Sequence, residues 1–188
     1  MAGEARERNR VAASNNFRQE QRGVALRMAA ALCVTVLVSA TCLYRGAAAP
    51  TTLADRLIVT ARADVFVLCW LAAAIGNVAR LRFFSAEDIT GSDSGNATAE
   101  VERAKAVLQN TLEQVVLAVP IHVSLAVLVA SSVPLIVALA ALFVIGRLLF
   151  WIGYARGPKA RAFGFALTFY PNLAGLVIAV FATVRLSL

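Results

Sequence analysis

The sequence has one histidine and three cysteines, and the cysteines, at positions 33, 42 and 69, never stand in a Cys-x-x-Cys spacing. That scarcity removes the usual zinc, iron–sulfur and dithiol sites. Cys33, Cys42 and Cys69 are therefore read as small packing residues, and no metal is expected. Charge is scarce too: 15% of the 188 residues are charged and 60% are hydrophobic, where a soluble domain is nearer a quarter charged and half apolar. Stretches of about 20 residues pass almost without charge, the length that crosses a hydrocarbon core of roughly 30 Å. Strict polar–apolar alternation, the mark of a membrane barrel, is missing, and no internal repeat is evident. Lipid cannot satisfy backbone groups, so an all-α membrane bundle remains.

What is present sets the order of the segments. Residues 1–22 are polar and Arg-rich and read as a mostly disordered tail, which makes 1–23 a basic cytoplasmic region. An apolar segment follows over 24–44. Its end, Thr41-Cys42-Leu43-Tyr44, lacks a small-residue cleavage pattern, so it reads as an uncleaved anchor. Four more segments cover about 57–78, 99–130, 135–154 and 162–184, and together they form a membrane domain over 57–187. Only Ser131-Ser132-Val133-Pro134 separates the third segment from the fourth, so those two are antiparallel neighbours.

The net charge of +7 does not imply nucleic acid, because the basic residues flank the apolar segments. With the N-terminus in the cytoplasm, twelve Lys and Arg lie on the inner side and four (Arg45, Arg56, Arg62 and Arg185) on the outer, as the positive-inside rule requires. The Asn96-Ala97-Thr98 sequon then falls on the cytoplasmic side and is discounted. The Ala- and Arg-rich composition points to a bacterial inner membrane.

Ionisable groups inside a membrane bundle are costly and mark function or registry. At 100° per residue, Arg103, Asn110 and Glu113 share one face of the third segment, and Arg147, Phe150 and Tyr154 share one face of the fourth. Arg161 opens the fifth. Antiparallel packing puts these ends at one depth, where they form a polar pocket open to the cytoplasm. Glu113 and Arg147 could simply neutralise each other. The surplus of Arg favours an anionic ligand instead, since guanidinium binds carboxylate bidentately. His122, two residues after Pro120, is expected to bond a carbonyl freed by the proline, and Asn172 after Pro171 to pack helices. Arg62 and Asp64, two residues apart, do not face one another. They lie near the interface, or the embedded stretch starts at Val65.

Two runs, Glu102-Arg103 through Asn110-Thr111-Leu112-Glu113 and Arg147 through Gly153-Tyr154-Ala155-Arg156 to Arg161, resemble the MAPEG family, membrane-associated proteins in eicosanoid and glutathione metabolism. The resemblance covers about residues 57–187 and leaves segment 24–44 as an addition. It implies a MAPEG-like four-helix bundle with one extra N-terminal transmembrane helix. It also implies a homotrimer in the lipid bilayer, with glutathione as co-substrate held between subunits and used on a lipophilic small molecule. Carried over, Asn110 and Glu113 hold glutathione's polar groups. Tyr154 and Arg161 line the pocket, Arg80 completes it, and Arg80, Arg82 or Arg161 lowers the thiol pKa. Arg103 and Arg147 are structural polar residues, Arg147 the inter-helix arginine. Departures from the family pattern are Ala106 in place of a second arginine, Gln114 where an aromatic is frequent, Phe150 for a tyrosine, Leu81 between Arg80 and Arg82, and a later proline, Pro120.

Three readings follow. One is a glutathione-dependent transferase or isomerase. Another is a non-catalytic member that binds a different anion or lipid, which Ala106 and Phe150 favour. The third is a small proton-coupled transporter using Glu113, against which stand the missing inverted repeat and the polar residues gathered at one end.

Overall fold

The computed structural model of the chain describes residues 2–46, 52–88 and 97–186. Among them the helices run α1 (Ala2–Gly46), α2 (Leu53–Phe83), α3 (Ala99–Leu128), α4 (Val133–Tyr154) and α5 (Pro158–Leu186). All five are long and apolar enough to cross a membrane, α1 through its Phe17–Arg45 stretch. The residues read as a disordered tail are helical from Ala2 onward and continuous with the apolar segment. Their Ala, Glu, Arg and Gln content explains this, since these residues lose little freedom in a helix. Asn96 of the sequon lies outside the described residues.

Local chemistry sets the helix ends. The Thr52 hydroxyl accepts from the Asp55 backbone N–H at 3.1 Å and starts α2, and Thr98 caps α3 through the Val101 N–H, each filling an orphan donor of the first turn. The α2–α3 connection is tied at its base by Asp88. This carboxylate accepts from the Ser85 hydroxyl at 2.7 Å and from the Thr98 N–H and hydroxyl at 3.0 and 2.9 Å. The Ser85 bond, then those from Thr98, hold the Asp88 carboxyl below its ordinary range. The clamp therefore stays charged through neutral pH and is lost only as acid approaches the depressed value. Between α4 and α5 the chain turns through residues 155–157, with Gly157 at φ 95°, a left-handed conformation that suits glycine. Pro158 then opens α5, where its missing N–H costs nothing.

Among the described residues helix α4 is central and touches all four others, α3 also lies against α2 and α5, and α1 meets α4 and α5 alone. The docking face of α1 is a stripe of small residues, Ala31, Thr35 and Ser39, buried at four-residue spacing. Such residues let helix backbones approach closely in lipid, where packing rather than the hydrophobic effect drives association. Ala31 joins Leu142 of α4 with Ala166 and Leu167 of α5 in one cluster.

Of the described glycines, Gly164 leaves the least room for a side chain, where α5 meets the backbone of α4. A Cβ built there would run into the Phe150 nitrogen and lie 2.7 Å from the Gly146 carbonyl oxygen. We expect Gly164→Val to push α5 off α4 and cost about 1–3 kcal/mol, the scale of an overpacked core. Thermal unfolding in detergent measures it. Gly76→Val, where an added Cβ meets nothing within 4 Å, is the silent control, and equal melting of the two variants would refute the contact.

Candidate functional site

The ends of α3, α4 and α5 that carry the polar residues enclose a cleft of about 520 Å³. Its polar lining is Gln109, Asn110 and Glu113 from α3, Tyr154 from α4 and Arg161 from α5. Its apolar lining includes Ala106, Phe150 and Phe165, together with Val24 and Met28 from α1. Nothing in the sequence reading placed α1 at this cleft. Val24 and Met28 are apolar residues at the head of a hydrophobic segment and carry no contrast with their apolar neighbours that would single them out. A hydrogen bond of 2.6 Å from the Arg27 guanidinium to the Lys159 carbonyl anchors that end of α1 to the start of α5.

Arg147 organises the cleft from behind. Only 1% of it is exposed, and it is the largest fully buried side chain. Its guanidinium donates to Asn110 Oδ1 at 2.8 Å and to the Thr168 hydroxyl, joining α3, α4 and α5. Thr168 passes its own proton to the Phe165 carbonyl at 2.8 Å. The cation lies 4.5 Å from the Phe150 ring centre, a favourable cation–π distance. The alternative in which Glu113 neutralises Arg147 is therefore not what forms. Glu113, three residues after Asn110 on α3, accepts instead from the Gln109 side chain at 3.0 Å.

These bonds fix what the cleft offers a ligand. Guanidinium only donates, so the Asn110 atom facing Arg147 is the oxygen, and the amide N–H groups of Asn110 remain as donors. One oxygen of Glu113 is engaged by Gln109 and the other is left to accept. Arg161 stacks over the Tyr154 ring at 4.4 Å, which holds a flexible cation in place. The cleft thus combines a cation, two neutral donors and one carboxylate above an apolar floor.

Other candidate residues lie elsewhere. Arg80 and Arg103 line a neighbouring cleft of about 290 Å³ with Asn77, Glu100 and Trp151, and Tyr154 belongs to both clefts. Arg103 also donates to the Ala99 carbonyl. A helical wheel puts Arg103 on the face of Asn110, yet the two open on opposite sides of the α3–α4 contact. Arg82 is half-buried in the last turn of α2 and lines neither cleft.

A second buried polar cluster lies outside these clefts, between α2 and α3. The Nδ1 of His122, fully buried, is 2.6 Å from Asp64 Oδ1. His122 therefore meets a carboxylate rather than a proline-freed carbonyl, and Asp64 is buried in the packing between α2 and α3. Arg56, two turns before Asp64, donates to the Ala126 and Ala130 carbonyls at 2.7 and 3.0 Å. Asn172 reaches the Gln114 carbonyl of α3 at 3.4 Å, a helix-packing contact. Among the described residues no group of three or more His, Cys, Asp and Glu could hold a metal ion.

Membrane-length helices around a polar cleft at one end of the bundle define a multi-pass helical membrane protein. The model of the MAPEG family matches residues 57–181, and the chain belongs to that family. The match begins within α2 and leaves α1 as a helix added to the four it covers. No curated protein and no solved structure matches the chain significantly.

Proposed function

We propose that the cleft between α3, α4 and α5 binds glutathione at the cytoplasmic face of a bacterial inner membrane, as a glutathione-dependent transferase or isomerase acting on lipophilic substrates. The observation that carries this is the donor set. Glutathione is a zwitterion, and an ammonium needs a carboxylate while carboxylates need cations and N–H donors. Glu113 meets the first need, Arg161 and Asn110 the second, and Phe150, Phe165 and Met28 leave an apolar side open to lipid-soluble substrate. Glutathione supplies the thiol. Arg161, stacked on Tyr154, is the nearest cation to favour thiolate, which is the nucleophile. Arg80 and Arg82 are assigned the same task from a neighbouring subunit of a homotrimer.

A second reading, a non-catalytic binder of another anion or lipid, is favoured by one observation. Phe150 and Ala106 present no polar group to the cleft where some members carry a tyrosine and an arginine.

Isothermal calorimetry of glutathione on the detergent-purified chain tests the proposal. Arg161→Ala and Glu113→Gln should each weaken binding about 10- to 100-fold, the loss of one charge-assisted bond. Asn110→Ala should weaken it as well, but it also strips Arg147 of a partner, so its melting temperature must be read alongside. Conjugation of a reactive aryl halide separates the two readings, because binding without turnover selects the second. No glutathione binding to the wild-type chain would overturn the first.

A further inference from the structure

Away from this cleft, α2 and α4 diverge over a separate groove of about 400 Å³. Its walls are Val59, Ala63 and Phe66 from α2 and Val137, Ala141 and Val144 from α4, and the only polar residue lining it is Arg62. Arg62 is exposed, and among the described residues no acid pairs with it. The two acids at this end of the bundle are already engaged, Asp55 with Thr52 at 2.6 Å and Asp64 with His122 at 2.6 Å.

Depth decides what such a groove can hold. The 31 residues of α2 span about 46 Å, so roughly 8 Å at each end projects beyond a 30 Å hydrocarbon core. Arg62 lies nine residues into the helix, about 14 Å from its start. Side chains on a helix lean towards its N-terminus, and a long basic chain extends its charge to the interface. The guanidinium therefore reaches the level of the glycerol and phosphate groups. Phe66, Val144 and Ile145 continue the groove below it towards mid-bilayer. A cation at the head of an apolar channel, at phosphate depth and without a protein partner, matches an anionic amphiphile.

We propose that the α2–α4 groove is a binding site for an anionic membrane phospholipid, with its phosphate on Arg62 and an acyl chain along Phe66 and Val144. A second copy of the chain is a poorer occupant. It would have to bring a free acid to Arg62's level, and the other acids within the spans, Glu20, Glu100, Glu102 and Glu113, lie at the opposite end of the bundle.

The full-length chain is purified in mild detergent, incubated with phosphatidylglycerol, phosphatidylcholine or oleate, and weighed by native mass spectrometry. Phosphatidylglycerol should be retained about tenfold more than phosphatidylcholine. Arg62→Leu should remove that preference, and Ala141→Phe, which fills the groove and keeps the charge, should remove phospholipid retention. Melting temperatures close to wild type show that both variants are folded. Equal retention of the two phospholipids, retention unaffected in both variants, or retention of oleate in place of phospholipid would each overturn the site. So would disulfide cross-linking of two copies through Val137→Cys, which would put a subunit in the groove.

Discussion

Arg147→Ala should cost about 3 kcal/mol, through a cavity at the meeting point of three helices and two polar groups left without their donor. For a chain of this size that corresponds to a fall of about 6–12 °C in melting temperature. The variant should also lose ligand affinity although Arg147 does not line the cleft, because Asn110 is oriented by the guanidinium. Arg147→Lys should recover only part of the loss. A lysine is a single point donor and cannot serve Asn110 and Thr168 from one planar group while lying on Phe150. Circular dichroism melts in detergent give the stability and calorimetry the affinity. An unchanged melting temperature in Arg147→Ala would mean that the three-helix bond network is not what holds these ends together.

His122→Ala should destabilise the protein more than Asp64→Asn, by about 3–5 kcal/mol against about 1 kcal/mol. The first leaves a carboxylate buried without its partner, the second keeps a hydrogen-bonding side chain opposite the imidazole. Replacing both residues by leucine should restore much of the loss, since a buried ionisable pair is often no more stable than apolar packing of similar volume. A double-mutant cycle with His122→Leu and Asp64→Leu as its single variants isolates the pair. Binding in the cleft should survive all of these changes, because neither residue lines it. Loss of binding or turnover in the folded double variant would instead make Asp64 and His122 part of the chemistry.

The five membrane-length helices and their order were legible in the sequence because a charge-free run of 20 residues has few other uses. The cleft was legible in part. The spacing of Asn110 and Glu113, and of Phe150 and Tyr154, defines faces, and the short connections between α3, α4 and α5 bring those faces together. What spacing does not give is which residue meets which. Asn110 and Glu113 differ by three positions, about 4.5 Å along the axis, and that distance decides that Arg147 bonds the amide and not the acid. Arg103 shares their wheel position but, two turns earlier, opens into the other cleft with Arg80. The Asp64–His122 contact joins residues 58 apart, each of which had a plausible local explanation. The stripe of Ala31, Thr35 and Ser39 that seats α1 stands inside an apolar run, where a small hydroxyl such as Thr35 can bond its own helix at Ala31 and so gives no sign of a partner.

The seating of α1 also fixes an order of events during synthesis. Among the described residues its neighbours are α4 and α5, so α1 finds no lasting contact within the chain until α4 has entered the bilayer. In the meantime α2 and α3 can join through Asp64 and His122 and through their own apolar faces. Until then α1 presents an open strip of small residues, Ala31, Thr35 and Ser39, to lipid. Since Val24 and Met28 wall the cleft together with Arg161 and Phe165, the pocket does not exist in its final form until α1 has met the start of α5.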